Sequence, residues 1–322
     1  MNQDQILQDF LTSPYLPKST PLIDGFLART HQLPPLITII GPTATGKSDL
    51  AVSIAQYIKI KHNKNCEIIS ADSRQIYRHL NIGTGKITPK EMQGIPHHML
   101  DIKDPNEIYS VAEYQKDAKD IISKIHAQNN IPILVGGTGQ YIDAVIFDNE
   151  LPPVPPNPEL RKELEENTLE ELLAQFETLN KNQPHQVDLK NKRRVIRAIE
   201  ILQALGHIPQ IDKENRVQVY STLIIGIDTD DATLRNRIKT RLEKRLEDGM
   251  IEESEKLLAD GTLTRDRMQT LGLEYAYIAD LIDKKIDLAE FKETLFFAIW
   301  HYAKRQRTWF RAMSDVFWIT NL

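Results

Sequence analysis

The sequence predicts an α/β fold, a parallel sheet flanked by helices with a mainly helical insertion, and three observations carry that prediction. The first is a β-branched apolar run, Pro35-Leu36-Ile37-Thr38-Ile39-Ile40, that enters a glycine-punctuated loop and then a segment with Leu50, Ala51, Ile54, Ala55 and Ile58 at helical spacing. The second is the return of short buried-strand runs at Glu67-Ile68-Ile69-Ser70-Ala71 and Pro132-Ile133-Leu134-Val135, each ending in a turn. The third is an abrupt change at Leu151-Pro152-Pro153-Val154-Pro155-Pro156-Asn157-Pro158, whose five prolines make a stiff, extended linker before charged amphipathic helix over residues 159 to 182.

The loop after the first strand, Gly41-Pro42-Thr43-Ala44-Thr45-Gly46-Lys47-Ser48, fits the phosphate-loop pattern G-x-x-x-x-G-K-S/T without a mismatch. Gly41 and Gly46 let backbone N–H groups converge on an anion, the new helix directs its positive end there, and Lys47 adds a full charge. The Ser48 hydroxyl is placed to ligate a phosphate-bound Mg²⁺. The core is therefore expected to be P-loop NTPase-like, although the loop alone does not select among kinases, ATPases, GTPases and group transferases.

Around this core the chain divides into an extension over residues 1–32, a first core part over 33–150, a helical insertion over 151–218 and a core completion with basic C-terminal helices over 219–322. The extension opens with Asn2, Gln3, Asp4 and Gln5, offers a short helix at Ile6, Leu7, Phe10 and Leu11, and turns around Pro14, Pro17 and Pro21. It suggests no chemistry. Lacking a basic start and a long apolar run, it is neither a signal peptide nor an anchor, and a cytoplasmic protein is expected. The lone cysteine, Cys66, excludes a disulfide framework and a multi-thiolate metal site.

Candidate site residues follow from position at strand ends, where open parallel sheets bind ligands. Asp72 and Ser73 follow the second strand, and Thr138 lies in the Gly136-Gly137-Thr138-Gly139-Gln140-Tyr141 turn after the third. His97 and His98 are adjacent on an extended segment and point to opposite sides, so structural histidines are expected rather than a metal pair. Ser110 and Glu113 form a capping box for a helix with Val111, Tyr114, Ala118, Ile121, Ile122 and Ile125 on its apolar face. Strand 223 to 227 ends at Asp228, which can be read as a Walker B aspartate on Mg²⁺ or as part of a helix cap with Thr229 and Asp230. A last strand is expected at Phe317-Trp318-Ile319-Thr320.

The net charge of −5 excludes a uniformly basic coat, but positive charge collects at Lys190–Arg197, at Arg235–Arg245 and at Lys304–Arg311. Arg237, Arg241 and Arg245 recur at i, i+4, i+8; such a row can clamp phosphates or pair with Glu243 and Glu247.

The phosphate loop together with Ala71-Asp72-Ser73-Arg74-Gln75-Ile76-Tyr77, Asn81-Ile82-Gly83-Thr84-Gly85-Lys86, Pro96-His97-His98-Met99-Leu100-Asp101, Tyr109-Ser110-Val111-Ala112, Gly136-Gly137-Thr138-Gly139, Lys192-Arg193-Arg194-Val195 and the run Ala303 to Arg311 resembles the bacterial tRNA dimethylallyltransferase family. The motifs cover nearly everything after residue 35. The resemblance implies transfer of a dimethylallyl group from dimethylallyl diphosphate to N6 of the adenosine 3′ of a tRNA anticodon. It implies that loop 41–48 holds the leaving diphosphate with Mg²⁺, that Asp72 accepts the N6 proton, and that Thr138 and Arg241 contact the diphosphate. It further implies that Asp72, Ser73, Arg74 and Gln75 read the flipped base and that Thr138, Arg161, Arg193 and Arg194 contact tRNA. No membrane and no obligate protein partner are implied. Departures are the extension over residues 1–32, Gln140 where an apolar residue is common, and Leu271-Gly272-Leu273-Glu274 in place of an aromatic-containing version.

Other readings of the same phosphate loop are a nucleoside or small-molecule kinase, a prenyltransferase acting on free adenine nucleotides, and a nucleotide-gated RNA-binding protein without catalysis. A kinase gives no reason for three basic helical segments, and the last reading leaves Asp72 and Thr138 incidental.

Overall fold

The computed structural model describes residues 13–147, 152–210 and 216–320, and its larger unit is organised by a six-stranded sheet. The strands are β1 (Pro35–Ile40), β2 (Cys66–Ser70), β3 (His97–His98), β4 (Ile131–Gly136), β5 (Ser221–Asp228) and β6 (Val316–Thr320). They lie in the order β3-β2-β4-β1-β5-β6, and every neighbouring pair is parallel. Strands covered on both faces need continuous apolar runs rather than alternation, which β1, β2 and β4 supply by burying nearly every residue.

Register decides where the loops emerge. Ile40 pairs with Gly136 and Gly226, and Ser70 pairs with Val135. The loops after β2, β4 and β1 therefore leave the same edge side by side. The apolar layer on one face includes Ile37, Ile39, Leu50, Ile54, Ile68, Ile133 and Ile225.

The turn expected around Pro14, Pro17 and Pro21 forms at Pro14, whereas Pro17 and Pro21 lie within helix α1 (Leu16–Leu27). Pro17 sits in the first turn, where no N–H is needed. Pro21 removes the N–H that would reach the Pro17 carbonyl, but Thr20 Oγ1 donates to that oxygen at 3.2 Å. Burial of Leu16, Ser19, Ile23 and Phe26 on one face supplies the remaining drive. The short helix expected at Ile6 to Leu11, and Leu151 of the proline linker, lie outside the described residues.

Helix α2 (Lys47–His62) follows the phosphate loop, α3 (Pro89–Met92) precedes β3, and α4 (Val111–Ala127) and α5 (Gly139–Ile146) flank β4. The Ser110 and Glu113 box caps α4 reciprocally, and its Tyr114 stacks on Tyr141 with ring centroids 3.8 Å apart. After β5 come α9 (Asp231–Glu247), α10 (Met250–Ala259), α11 (Arg265–Leu271), α12 (Glu274–Ile282) and α13 (Leu288–Arg311). Among the described residues no helix is long and apolar enough to cross a membrane.

The second unit spans Phe147–Val217, with the core resuming at Gln218. It comprises α6 (Pro158–Glu166), α7 (Leu169–Asn180) and α8 (Lys192–Leu205) around Leu164, Leu172, Phe176, Val195, Ile199 and Leu202. The single amphipathic helix expected over 159 to 182 is two helices. Asn167 is extended, and Thr168 starts α7 through a capping box with Glu171, a Thr-x-x-Glu signal already present in the sequence. The proline stretch is tied down by Arg197, whose NH2 donates to the Val154 carbonyl at 2.8 Å.

Phe176 is 1% exposed, so Phe176→Ala is expected to cost this unit about 3–5 kcal/mol. Denaturant unfolding followed by circular dichroism should show that loss as a lowered midpoint.

Candidate active site

The phosphate loop is shaped by backbone demands. Gly41 has φ of +149°, and a Cβ there would lie 2.3 Å from the Ile227 carbonyl oxygen of β5, so a side chain has no room. Gly46 begins α2 in the left-handed region. Thr45 Oγ1 and Lys47 Nζ both donate to the Pro42 carbonyl, at 2.8 and 2.7 Å, which folds the loop around its own lysine. Burial, then the nearby Arg241 charge, pull the Lys47 ammonium down to about 7, against an opposing attraction from Asp72.

Asp72 follows β2 and is held by local backbone: its Oδ1 accepts from the N–H of Arg74 at 2.9 Å and of Gln75 at 3.4 Å. The loop after β4 locks onto it from the side. Thr138 N donates to the Ala71 carbonyl at 3.1 Å, and Ser73 N donates to Thr138 Oγ1 at 3.1 Å. Gly136 permits that approach, because a Cβ there would stand 2.1 Å from the Ala71 oxygen. The Gln75 amide donates to the Gly85 carbonyl at 3.2 Å.

Two site residues escaped the sequence reading, Tyr302 and Gln306 of α13. Gln306 is 6% exposed. Its Oε1 accepts from Thr43 N at 2.8 Å and its Nε2 donates to the Gly137 carbonyl at 2.8 Å, so one amide joins the phosphate loop to the Thr138 loop. The Tyr302 hydroxyl meets the Thr138 side chain, and burial first, then Asp72, push the phenol up to about 12. A signal existed for Gln306: it lies on the buried stripe of Ile299, Ala303 and Phe310, where a polar side chain must find partners.

The arginine row of α9 is only partly a clamp. Arg245 is buried, donating to the Gly83 carbonyl at 2.7 Å and to Glu274 at 2.9 Å. Arg241 donates to the Gly85 carbonyl at 3.1 Å and Arg237 to the Tyr15 hydroxyl at 2.8 Å. The expected pairing with Glu243 and Glu247 does not form for these three; Glu243 instead lies 4.0 Å from Lys239. Burial, then Arg245, lower the proton affinity of Arg241.

Asp228 ends β5 directly ahead of the helix cap read at 228–230, accepting from Thr229 N at 2.9 Å. It is 3% exposed and accepts from Arg307 Nε at 2.9 Å and Arg311 NH2 at 3.1 Å, while Asp230 caps α9 through Thr233 N. The histidines are structural, as expected: His98 Nε2 lies 2.7 Å from Glu67 and His97 Nδ1 lies 2.8 Å from the Ile95 carbonyl. Among the described residues no group of three or more histidines, cysteines or carboxylates could hold a metal ion.

Two adjoining cavities open at this edge. One, of about 90 Å³, is lined by Lys47, Ser48, Asp72, Gln75, Arg241 and Tyr302, with Ile68, Ile87 and Val135 as apolar wall. The other, of about 460 Å³, is lined by Tyr15, the 44–49 stretch, Arg237 and Arg241, with Asp49 and Glu91 also bordering it. Lys47, Ser48, Ile87 and Arg241 belong to both. The phosphate loop, Asp72, Gln75 and Arg241 thus converge, with Ser73 and Thr138 bonded to one another beside them, and Arg74 reaching the Ser73 carbonyl at 3.4 Å. Arg161, Arg193 and Arg194 lie in the helical unit. Arg161 gives Nε and NH2 to buried Glu200 at 3.1 and 2.8 Å, Arg194 pairs with Asp188 at 3.2 Å, and Arg193 is exposed.

Residues 75–313 match the IPP transferase family. A tRNA dimethylallyltransferase of Bacillus licheniformis is 37% identical over 291 residues, covering 88% of this chain and 90% of its own length. One from Azobacteroides pseudotrichonymphae is 42% identical over 285 residues, covering 87% and 89%. The crystal structure of the tRNA isopentenylpyrophosphate transferase of Bacillus halodurans superposes with a TM-score of 0.65 at 36% identity, covering 89% of each chain. A eukaryotic dimethylallyltransferase acting on tRNA shares the fold, with a TM-score of 0.72 at 24% identity over 89% of this chain and 74% of its own.

A lysine lowered to about 7 in the free protein regains its proton beside an anion. Inorganic pyrophosphate should therefore bind with net proton uptake between pH 7 and 8, and its affinity should fall as pH rises past about 7. Calorimetry in two buffers of different ionisation heat measures the uptake; Lys47→Ala should reduce it, and equal uptake in both proteins would rule this assignment out.

Proposed function

The chain belongs to the IPP transferase family, and on that premise we propose that it transfers a dimethylallyl group from dimethylallyl diphosphate to N6 of the adenosine 3′ of a tRNA anticodon. The observation that carries this reading is the shared cavity: a carboxylate, Asp72, and an anion site built from Lys47 and Arg241 face one small space that also has an apolar wall of Ile68, Ile87 and Val135. A short branched alkyl chain suits that wall, and its diphosphate suits the helix N-terminus behind it.

In the reaction the N6 lone pair forms a bond to C1 of the allyl group while the C1–O bond breaks and its electrons leave with the diphosphate. The N6 proton passes to the Asp72 carboxylate. An exocyclic amine is a weak nucleophile, so a positioned base and stabilised leaving-group charge are both required. Asp72 is suited to the first task because two backbone N–H groups fix one oxygen and leave the other available. Lys47, Arg241 and the α2 N-terminus suit the second. Thr138 orients Ser73 and meets Tyr302, and an adenine taken out of its stack would be read by Asp72, Ser73, Arg74, Gln75 and Thr138.

Mg²⁺ fits this donor set. The Ser48 hydroxyl lines both cavities and Asp49 borders one of them, and Mg²⁺ beside phosphates takes few protein oxygens. Bound there, it would neutralise diphosphate charge. Arg193 and Arg194 are exposed for tRNA phosphates; Arg161, with two donor atoms committed to Glu200, retains NH1 for such a contact. Action on the cytoplasmic tRNA pool completes the reading. A kinase is disfavoured by the commitment of Asp228 to Arg307 and Arg311.

Asp72→Ala should lower transfer of label from dimethylallyl diphosphate into unmodified tRNA by roughly a hundred- to ten-thousandfold, with donor affinity little changed. Thr138→Ala should also reduce turnover. Undiminished transfer by Asp72→Ala would remove the aspartate from the mechanism.

A further inference from the structure

The segment ahead of β1 suggested no chemistry from its sequence, yet its described part is built into the anion end of the site. Tyr15, immediately before α1, is 3% exposed. Its ring lies against the phosphate loop, where a Cβ on Gly46 would meet Tyr15 Cε2 at 3.7 Å. Its backbone is pinned on both sides, since Tyr15 N donates to Ser13 Oγ at 3.4 Å and Ser19 Oγ donates to the Tyr15 carbonyl at 2.9 Å. Arg237 NH1 then donates to the hydroxyl at 2.8 Å, a contact spanning 222 positions of sequence.

The cavity of about 460 Å³ places this pair beside the α2 N-terminus, Lys47 and Arg241. A phenol that accepts from a guanidinium still carries its own proton, and no described residue accepts it. The guanidinium likewise keeps donors beyond the one spent on Tyr15. Asp49 and Glu91 border the same space, which favours an anion bound together with a cation over a bare one.

We propose that Tyr15 is a donor-binding residue: it fixes Arg237 over the phosphate loop and gives its own proton to an outer oxygen of the bound diphosphate. Pro14 and Tyr15 then form one wall of the donor site. The proposal rests on the reading of loop 41–48 as the diphosphate site, and it concerns binding rather than the chemical step.

Full-length Tyr15→Phe keeps the ring and deletes only the hydroxyl. Titration with inorganic pyrophosphate and Mg²⁺ should show affinity weakened about ten- to a hundredfold, the size expected for a hydrogen bond to a charged group. The KM for dimethylallyl diphosphate should rise similarly, with kcat, the KM for tRNA and the thermal midpoint unchanged. Arg237→Lys should weaken pyrophosphate too, and the double variant should be little worse than either single one because the two act together. Unchanged pyrophosphate affinity in Tyr15→Phe, or purely additive losses in the double variant, would overturn the proposal. Should the wild type bind pyrophosphate through Tyr15 but pass no label to tRNA, the transfer reading fails and this one stands; transfer at an unchanged KM in Tyr15→Phe gives the reverse.

Discussion

Asp228 ends β5 with 3% of its surface exposed, and a carboxylate so far from water is stable only when paired and hydrogen-bonded. Arg307 meets it along the guanidinium edge, reaching Asp231 at 2.5 Å and the Thr229 carbonyl at 2.8 Å with its other nitrogens, and Arg311 adds a second cation one turn on. This cluster fixes the end of α13 against the sheet. Once α13 is fixed, Gln306 falls between the Thr43 amide and the Gly137 carbonyl, and Tyr302 falls beside Thr138. Removing one partner from such a pair typically costs about 3–5 kcal/mol; here it would also loosen the join between the phosphate loop and the loop after β4. The basic run at Lys304–Arg311, which resembles an RNA-binding face in sequence, is thus partly a structural clamp.

The electrostatics of the site follow from the same crowding. Burial first, then Arg241 beside Lys47 and Arg245 beside Arg241, depress the proton affinities of Lys47 and Arg241. Glu274 compensates Arg245 at 2.9 Å, and Glu253 accepts backbone N–H groups of Ile82 and Gly83 at 2.9 and 3.1 Å, bracing the loop whose carbonyls hold Arg241 and Arg245.

Much of this was legible in the sequence where the cause is local. β1, β2, β4 and β5 are apolar runs with turn residues at their ends, the phosphate loop is a contiguous motif, and Asp72 and Thr138 could be placed because strand ends in a parallel sheet share an edge. What stayed hidden depends on contacts between distant residues. α1 was obscured by Pro17 and Pro21, whose helical cost is offset by a Thr20 hydroxyl and by burial that local pattern does not reveal. The split between α6 and α7 was written in Thr168 and Glu171 but masked by apolar periodicity continuing through it. Tyr15 with Arg237 and Thr43 with Gln306 join positions whose partners no spacing rule supplies. The strand end and helix start around Asp228 are local, while its arginine partners, Arg307 and Arg311, lie near the far end of the chain.

On the reading proposed above, the phosphate loop and Asp72 serve one transfer in which a prenyl diphosphate is the donor and tRNA the acceptor. Incubation of the protein with Mg²⁺, dimethylallyl diphosphate labelled at C1, and unmodified tRNA carrying adenosine 3′ of the anticodon tests it most directly. One label should enter each acceptor tRNA, recovered as N6-dimethylallyladenosine with release of one pyrophosphate. Label confined to free adenine nucleotides, or ATP consumed while the tRNA stays unlabelled, would contradict it.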